Sequence, residues 1–469
     1  MQPIRVDVAI IGAGTAGLYA LREVRRAGKS FVLIDSGPLG TTCARVGCMP
    51  SKVALHAAEL WRLRGEQQRF GIAGTEQLQL NRTLAWQQVR AMRDNFAARG
   101  TASAQNAAGE HLLLGRARFV APGELRVSTA AGERLVQAAA VVIATGSSPV
   151  MPGFLQPFAD FCLTTDDLFE LQELPQRLGI LGLGAIGLEM GLAMSRLGVQ
   201  VFGADMAATV AGISDPEVSS CALEIFGREM QLYLGAPAQL AAAEQGVMLQ
   251  AGQEQVQVDQ VLVALGRRPN LATLELANAG VELDERGLPD FDPHSMQLRG
   301  QRIFIAGDAT GQRTLMHEAA DEGAMAGFNA CREQQVQFRR KSWLAIAFSQ
   351  PDVIAVGASF AELQEQQLLI GTAWTDANGR SRILSSDKGV LRIYAAPDGK
   401  LLGAAMIGPR AEHVAQLLAL ALERDETAAS LLQMPFYHPV VEEMVQSALQ
   451  DIVRQQGGAG ELPPGLQSV

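Results

Sequence analysis

The chain has 469 residues, 48% of them apolar and 48 of them glycine, and a net charge of −10. Single cores stop growing near about 250–300 residues, so about three domains are expected, and the apolar content excludes a disordered chain. With no basic stripe the charge excludes a nucleic-acid footprint. No run of about 18 apolar residues is present to serve as a membrane span. The most apolar region, residues 178–194, is interrupted by glycines and by Glu189. The amino terminus carries Arg5 and Asp7 and lacks a signal-peptide apolar region. A cytoplasmic protein is therefore expected.

Taken in chain order, Val6–Ile11 reads as a strand and runs into Gly12-Ala-Gly14-Thr-Ala-Gly17. A helical pattern follows through Leu18, Leu21 and Val24, then a second strand, Phe31–Ile34, ending at Asp35. This is a βαβ unit with the dinucleotide fingerprint. The first glycine allows the tight turn, the second admits a pyrophosphate, the third lets helix and strand pack, and an acid lies about twenty residues on. The strand Ala140–Ala144 runs into Thr145-Gly146. The fingerprint then recurs, with strand Leu178–Leu181, Gly182-Leu-Gly184-Ala-Ile-Gly187, helix Leu188–Leu197, and strand Val199–Ala204 ending at Asp205. Two such units imply electron transfer between two dinucleotides, most simply FAD and NAD(P)H. A carboxylate at Asp205 accepts from a ribose 2′-hydroxyl and repels a 2′-phosphate, which favours NAD over NADP.

Val261–Ala264 runs into Gly266-Arg-Arg-Pro, and Ile303–Ala306 into Gly307-Asp308. Beyond Lys341 the fingerprints stop; strands Val353–Val356 and Val390–Tyr394 and the apolar helix Val414–Leu422 read as a separate domain. The expected fold class is α/β, with two Rossmann-like dinucleotide-binding domains and a C-terminal α+β domain. The boundaries expected are 1–149 for the first (FAD) domain, 150–270 for the second (NAD), 271–340 for a segment completing the first, and 341–469 for the last. The tail over 457–469, rich in glycine and proline, is expected to be loosely ordered.

Five cysteines in so long a chain are no disulfide scaffold. Cys162, Cys221 and Cys331 are isolated and read as small apolar residues. Cys43 and Cys48 form a close pair just after the first βαβ unit. A bridge across so short a loop stabilises little. On a regular helix residues five apart point about 140° apart, so the sulfurs could bond only on irregular backbone. A strained, exposed disulfide is the redox-active kind. The alternatives are two reduced core thiols or half a metal site, and no further ligands complete a tetrahedral metal set, so no metal is expected.

The run Gly40-Thr-Thr-Cys43 through Cys48-Met-Pro-Ser-Lys52 resembles the signature of the class I pyridine nucleotide-disulfide oxidoreductases. The likeness continues in order through Ala144-Thr-Gly146, Gly182 to Glu189, Gly266-Arg-Arg-Pro-Asn, Gly307-Asp308 and His438-Pro439-Val-Val-Glu-Glu443. It implies a homodimer with the C-terminal domain at the interface. It further implies Cys48 as the thiol facing the flavin and Cys43 as the one exchanging with substrate, with Lys52 near the flavin and paired with Glu189. FAD would be held by Gly12, Gly14, Gly17, Asp35, Thr42, Lys52, Thr145, Gly146, Gly307, Asp308, Met316 and His317. NAD would be held by Gly182, Gly184, Gly187, Glu189, Asp205 and Gly266. His438 would act as general base, oriented by Glu443, on the other subunit's thiol pair. Spacing alone would also admit Glu442. A cis peptide before Pro439 is implied as well.

Within the family, dihydrolipoyl dehydrogenases fit best, which implies dihydrolipoamide or a lipoyl-domain protein as the dithiol and NAD⁺ as the acceptor. No cysteine follows Cys331, which sets aside mercuric reductases and large thioredoxin reductases. The alternatives are a glutathione-reductase-like enzyme for another small disulfide and a non-catalytic assembly subunit. Val440, Glu442 and Glu318 depart from the usual pattern, as does Thr-Thr-Cys-Ala-Arg-Val. The histidines at 56, 111, 294 and 413 show no catalytic partners in sequence.

Overall fold

A computed structural model describes residues 2–386, 388–457, 463, 465 and 466. The tail expected to be loose falls largely outside them. Two compact units are present: residues 1–50, 88–150 and 266–340 form one, and residues 51–87, 151–265 and 341–469 the other.

The first unit is built on a sheet of seven strands. Ile4–Ile11 lies parallel between Phe31–Asp35 and Gly132–Ile143, and Ile303–Ile305 pairs in parallel with the end of Gly132–Ile143. Their register places Ile11 beside Ile34 and Ile143, and Ile143 beside Ile305. The strands therefore end together, and Gly12, Asp35, Thr145 and Gly307 all follow at the carboxyl edge, where open α/β sheets bind ligands. The near-continuous apolar runs are those of a sheet covered on both faces. Helix Thr15–Arg26 packs on helix Met316–Ala330 at backbone contact. A Cβ on Gly323 would stand 2.1 Å from Ala16 O, and one on Gly327 2.4 Å from Ala20 O.

In the second unit Arg177–Leu181 lies parallel between Gln200–Asp205 and Gln260–Val263. A three-stranded antiparallel sheet, Ala238–Ala242, Val247–Ala251 and Glu254–Val258, follows. Residues 344–408 form a five-stranded antiparallel sheet covered by helices Ala411–Glu423 and Glu443–Gln455. Two boundaries differ from those expected. The return to the first unit begins at Gly266, because Arg267–Pro269 pairs with Ser147–Pro149 and Gly266 O accepts from Val150 N. Gly266 thus sits with the first unit rather than with the glycines of the second. Residues 51–87 also leave the first segment and pack with the second unit.

The second unit pairs a buried carboxyl with a half-buried one. Asp352 opens strand Asp352–Gly357 and is 3% exposed; Glu412 lies in the first turn of helix Ala411–Glu423. Burial and the adjacent Glu412 push Asp352 well above the carboxylate range. Against its own burial, the hydrogen bond from Asp352 holds Glu412 low, so one proton rests on Asp352. The unfolded chain loses that proton at ordinary carboxylate pH, so the pair costs stability increasingly as pH rises from there toward the folded pKa. Asp352→Asn keeps a donor toward Glu412 without that proton. It should stabilise the fold by about 1–3 kcal/mol at pH 8 and far less at pH 4. Urea unfolding at the two pH values checks this, and an equal change at both would contradict it.

Among the described residues no helix is long and apolar enough to cross a membrane, and no group of three or more His, Cys, Asp or Glu could hold a metal ion.

Candidate active site

The two glycine turns are built alike. Gly12 and Gly182 have φ of +112° and +90°, which side-chain-bearing residues rarely adopt. A Cβ on Gly17 would lie 1.8 Å from Gly12 O, and one on Gly187 1.9 Å from Gly182 O, so helix and strand need glycine to close. Gly14 and Gly184 differ: a Cβ there would meet nothing within 4 Å. Each caps a 12-residue helix with no side chain bound to the first turn, leaving amide donors and the positive helix end facing open space. A dinucleotide pyrophosphate suits both cradles.

The acid closing each βαβ unit pins its turn. Asp35 accepts from Ala13 N at 2.7 Å and Gly37 N at 2.6 Å; Asp205 accepts from Leu183 N at 2.6 Å and Ala207 N at 2.8 Å. Carboxylate oxygens have further acceptor capacity, and a ribose hydroxyl can use it. Beyond Asp205 come Met206, Ala207, Ala208 and Thr209, with no cation to meet a 2′-phosphate. In the first unit Thr145 Oγ1 is buried without a hydrogen-bond partner, an orphan that a bound FAD would satisfy. Asp308 accepts from Ser147 Oγ at 2.7 Å, and Arg267 donates to Ser147 Oγ at 2.8 Å and Ser147 O at 2.7 Å. Sequence reasoning gave no role to Ser147, which adjoins a motif it used, or to Arg267, which lies within one. Met316 and His317 are exposed at the start of their helix.

The thiol pair lies on irregular backbone. Thr42–Arg45 makes one helical turn, Val46 departs from helical geometry, and Cys48 opens the helix Cys48–Arg62. A Cβ on Gly47 would stand 3.2 Å from Thr42 O and 3.4 Å from the Cα of Cys43, so the chain folds back on itself there. Cys43 is half-buried and Cys48 exposed, against the reading of two core thiols. At a helix N-terminus the macrodipole favours negative charge on Cys48.

Lys52, one turn further along that helix, donates to Glu189 Oε1 and Oε2 at 2.9 and 2.7 Å. Its ammonium also lies 4.8 Å from the centre of the Phe348 ring. Glu189 is 4% exposed and accepts from Phe348 N at 2.9 Å. Its carboxylate is thus committed to Lys52 and the Phe348 amide. An unpaired buried carboxylate would be strongly destabilising, so this fixed anion anchors the lysine. Phe348 had no sequence signal.

His438 Nδ1 lies 2.9 Å from Glu443 Oε1, and Val440 N donates to Glu443 Oε2 at 3.1 Å. Glu443 opens helix Glu443–Gln455, while Glu442 is only its cap residue. The hydrogen bond from His438 holds Glu443 below the usual carboxylate range. An ionised Glu443 accepts a hydrogen bond from Nδ1–H and leaves Nε2 as the acceptor. The ring is highly exposed, beside exposed Tyr437, and the His438–Pro439 peptide is cis.

Two dinucleotide cradles, a thiol pair at a helix start and a histidine–carboxylate pair define a protein of thiol–disulfide redox chemistry. The chain belongs to the pyridine nucleotide-disulphide oxidoreductase family, whose model matches residues 6–323, with the family's dimerisation domain matching residues 344–449. Dihydrolipoyl dehydrogenase of Thermus scotoductus is 30% identical over 467 residues, covering 96% of this chain and 98% of that protein. Dihydrolipoyl dehydrogenase 3 of Pseudomonas aeruginosa is 30% identical over 470 residues, covering 95% and 97%. Among solved structures, the Cu(II) complex of the HOCl-induced flavoprotein disulfide reductase RclA from Escherichia coli superposes with a TM-score of 0.84 at 22% identity, covering 96% of this chain and 99% of that one. LpdA of Mycobacterium tuberculosis gives 0.83 at 24%, covering 95% and 99%. At those identities the structures establish the fold. The chain is an FAD- and NAD(P)-dependent flavoprotein disulfide oxidoreductase.

Proposed function

We propose that this enzyme, as a homodimer, oxidises a dithiol of the dihydrolipoamide class, free or carried on a lipoyl-domain protein, and delivers the electrons to NAD⁺. His438 Nε2 removes a proton from one substrate thiol. The thiolate attacks Cys43 Sγ of the oxidised Cys43–Cys48 pair, forming a mixed disulfide and releasing Cys48 as thiolate. The second substrate thiol, deprotonated in turn, attacks the mixed disulfide, and substrate leaves as the cyclic disulfide with both cysteines reduced. FAD, held by the first unit's glycine turn with Asp35, Thr145 and Asp308, supplies the two-electron carrier between thiols and nicotinamide. Lys52, anchored by Glu189, contributes a fixed positive charge one turn from Cys48.

The observation that carries this reading is Asp205 at the end of its strand with no cation after it, which favours NAD(H). The full-length likeness to dihydrolipoyl dehydrogenases supports the dithiol. NAD⁺ reduction by dihydrolipoamide, with NADP⁺ and a glutathione disulfide/NADPH pair alongside, tests it. Turnover is expected with dihydrolipoamide and NAD⁺; turnover confined to the glutathione pair would sink the proposal and favour a small-disulfide reductase. Asp205→Asn should lower the NAD⁺/NADP⁺ ratio of kcat/KM by about tenfold, one lost polar contact. An unmoved ratio would remove Asp205 from cofactor choice.

A further inference from the structure

Beneath the Gly307–Asp308 turn sits a buried ion cluster. Glu318 and Glu322 stand one turn apart on helix Met316–Ala330, at 2% and 0% exposure. Arg340 reaches both, at 2.7 Å from Glu318 and 2.6 Å from Glu322, and Arg313 holds the other Glu318 oxygen at 2.9 Å. The remaining oxygen of Glu322 accepts the backbone N–H of Gly307 at 2.7 Å. Buried ion pairs of this kind are often no more stabilising than apolar residues of the same volume, so stability alone is a weak reason for one. What this one holds is more telling. Gly307 has φ +70°, and a Cβ there would lie 3.0 Å from the Cβ of Ala16 and 3.2 Å from that of Ala319. The turn is confined, and Glu322 is the group that grips its leading amide; the next residue is Asp308.

We propose that Glu322 is a positioning residue for the flavin: as a carboxylate clamped by Arg340 it fixes Gly307 and hence the Asp308 side chain, and its protonation loosens the cofactor. This rests on reading Asp308 as a flavin contact. Burial pushes Glu322 up to about 7, against Arg340 and the Gly307 amide, with Glu318 adding to the rise. Among the described residues, the buried side of helix Thr15–Arg26 is Ala16, Gly17, Ala20, Leu21 and Val24 and strand Ile303–Ile305 is apolar, while the turn above carries Asp308 and Arg313. The cofactor-bound state favours the ionised form, so flavin is held best above that pH and released more readily below it.

The test is the rate at which FAD leaves the purified holoenzyme, read in ultrafiltrates from pH 6 to 8.5. Wild-type release should quicken as pH falls, with a midpoint below about 7, since bound flavin favours the ionised form. Glu322→Gln should release FAD about tenfold faster at pH 8.5, as for loss of one charge-assisted bond, and show no pH dependence in this window. Arg340→Gln leaves Glu322 titratable without its cation and should move the midpoint upward. A flat wild-type profile, a Glu322→Gln protein that matches wild type at pH 8.5, or an unmoved midpoint in Arg340→Gln would overturn the proposal. So would a midpoint that vanishes with His317→Gln instead. Asp308→Ala separates the layers: wild-type retention there overturns the flavin reading of the turn. Fast release from Asp308→Ala with slow release from Glu322→Gln overturns the positioning role alone.

Discussion

If His438 is the general base proposed above, His438→Ala should slow dithiol oxidation by about 10²–10⁴-fold, the contribution of a positioned general base. The geometry behind this expectation is local. Glu443, held below the usual carboxylate range by the hydrogen bond from His438, stays ionised across the working pH and keeps the ring's acceptor nitrogen outward. Val440 N fixes the other carboxylate oxygen, so the acid cannot turn away. The loss should fall on thiol deprotonation and leave FAD content unchanged, and raising the pH toward the substrate thiol's own pKa should recover part of the rate. Stopped-flow rates of enzyme reduction by dihydrolipoamide across pH 6–9 measure both. An unchanged rate at neutral pH would take His438 out of the mechanism. Glu443→Gln should lose less, since the ring remains while its orientation weakens. The ring's high exposure leaves it open to an incoming thiol, as the proposed role requires.

Much of this site was legible in the sequence because its parts are local. Gly12 to Gly17, Cys43 to Lys52 and His438 to Glu443 each span a dozen residues or fewer, and the physics that requires them acts within one turn or one loop. The strand ends were legible for the same reason, since β-branched runs stop where glycine begins. What escaped lies at long sequence separation. Phe348 meets Glu189 across 159 positions and Arg267 meets Ser147 across 120; no spacing rule reaches so far. Glu322 belongs to no motif, and only tertiary packing shows that it grips Gly307. The 27-residue helix Arg82–Ala108 escaped because its apolar residues follow no single stripe. The shift at Gly266 is a pairing decision: Arg267–Pro269 finds Ser147–Pro149, a partner that composition does not announce.

The second large effect concerns the cysteines. Cys43→Ser and Cys48→Ser should each lower dihydrolipoamide oxidation by at least about 10³-fold, because a serine hydroxyl neither attacks nor leaves as a thiolate does. Their combination separates a redox pair from two independently useful thiols. Groups that act as a unit are not additive, so the double variant should be no slower than the worse single one. Two structural thiols would instead give small losses that add, and would show in stability before turnover. The structure already weighs against that outcome: Cys48 is exposed at a helix start, Cys43 is half-buried, and Gly47 lets the chain fold back between them. The two singles should also differ from each other. With Cys48 alone, the exchanging thiol is missing and substrate should not bond to the enzyme. With Cys43 alone, an acyclic disulfide probe should be trapped as a mixed disulfide, because its leaving thiol departs and no second enzyme thiol resolves the bond. Mass spectrometry of each variant after incubation with 2-hydroxyethyl disulfide distinguishes them, and an adduct on Cys48 but not on Cys43 would reverse the assigned roles.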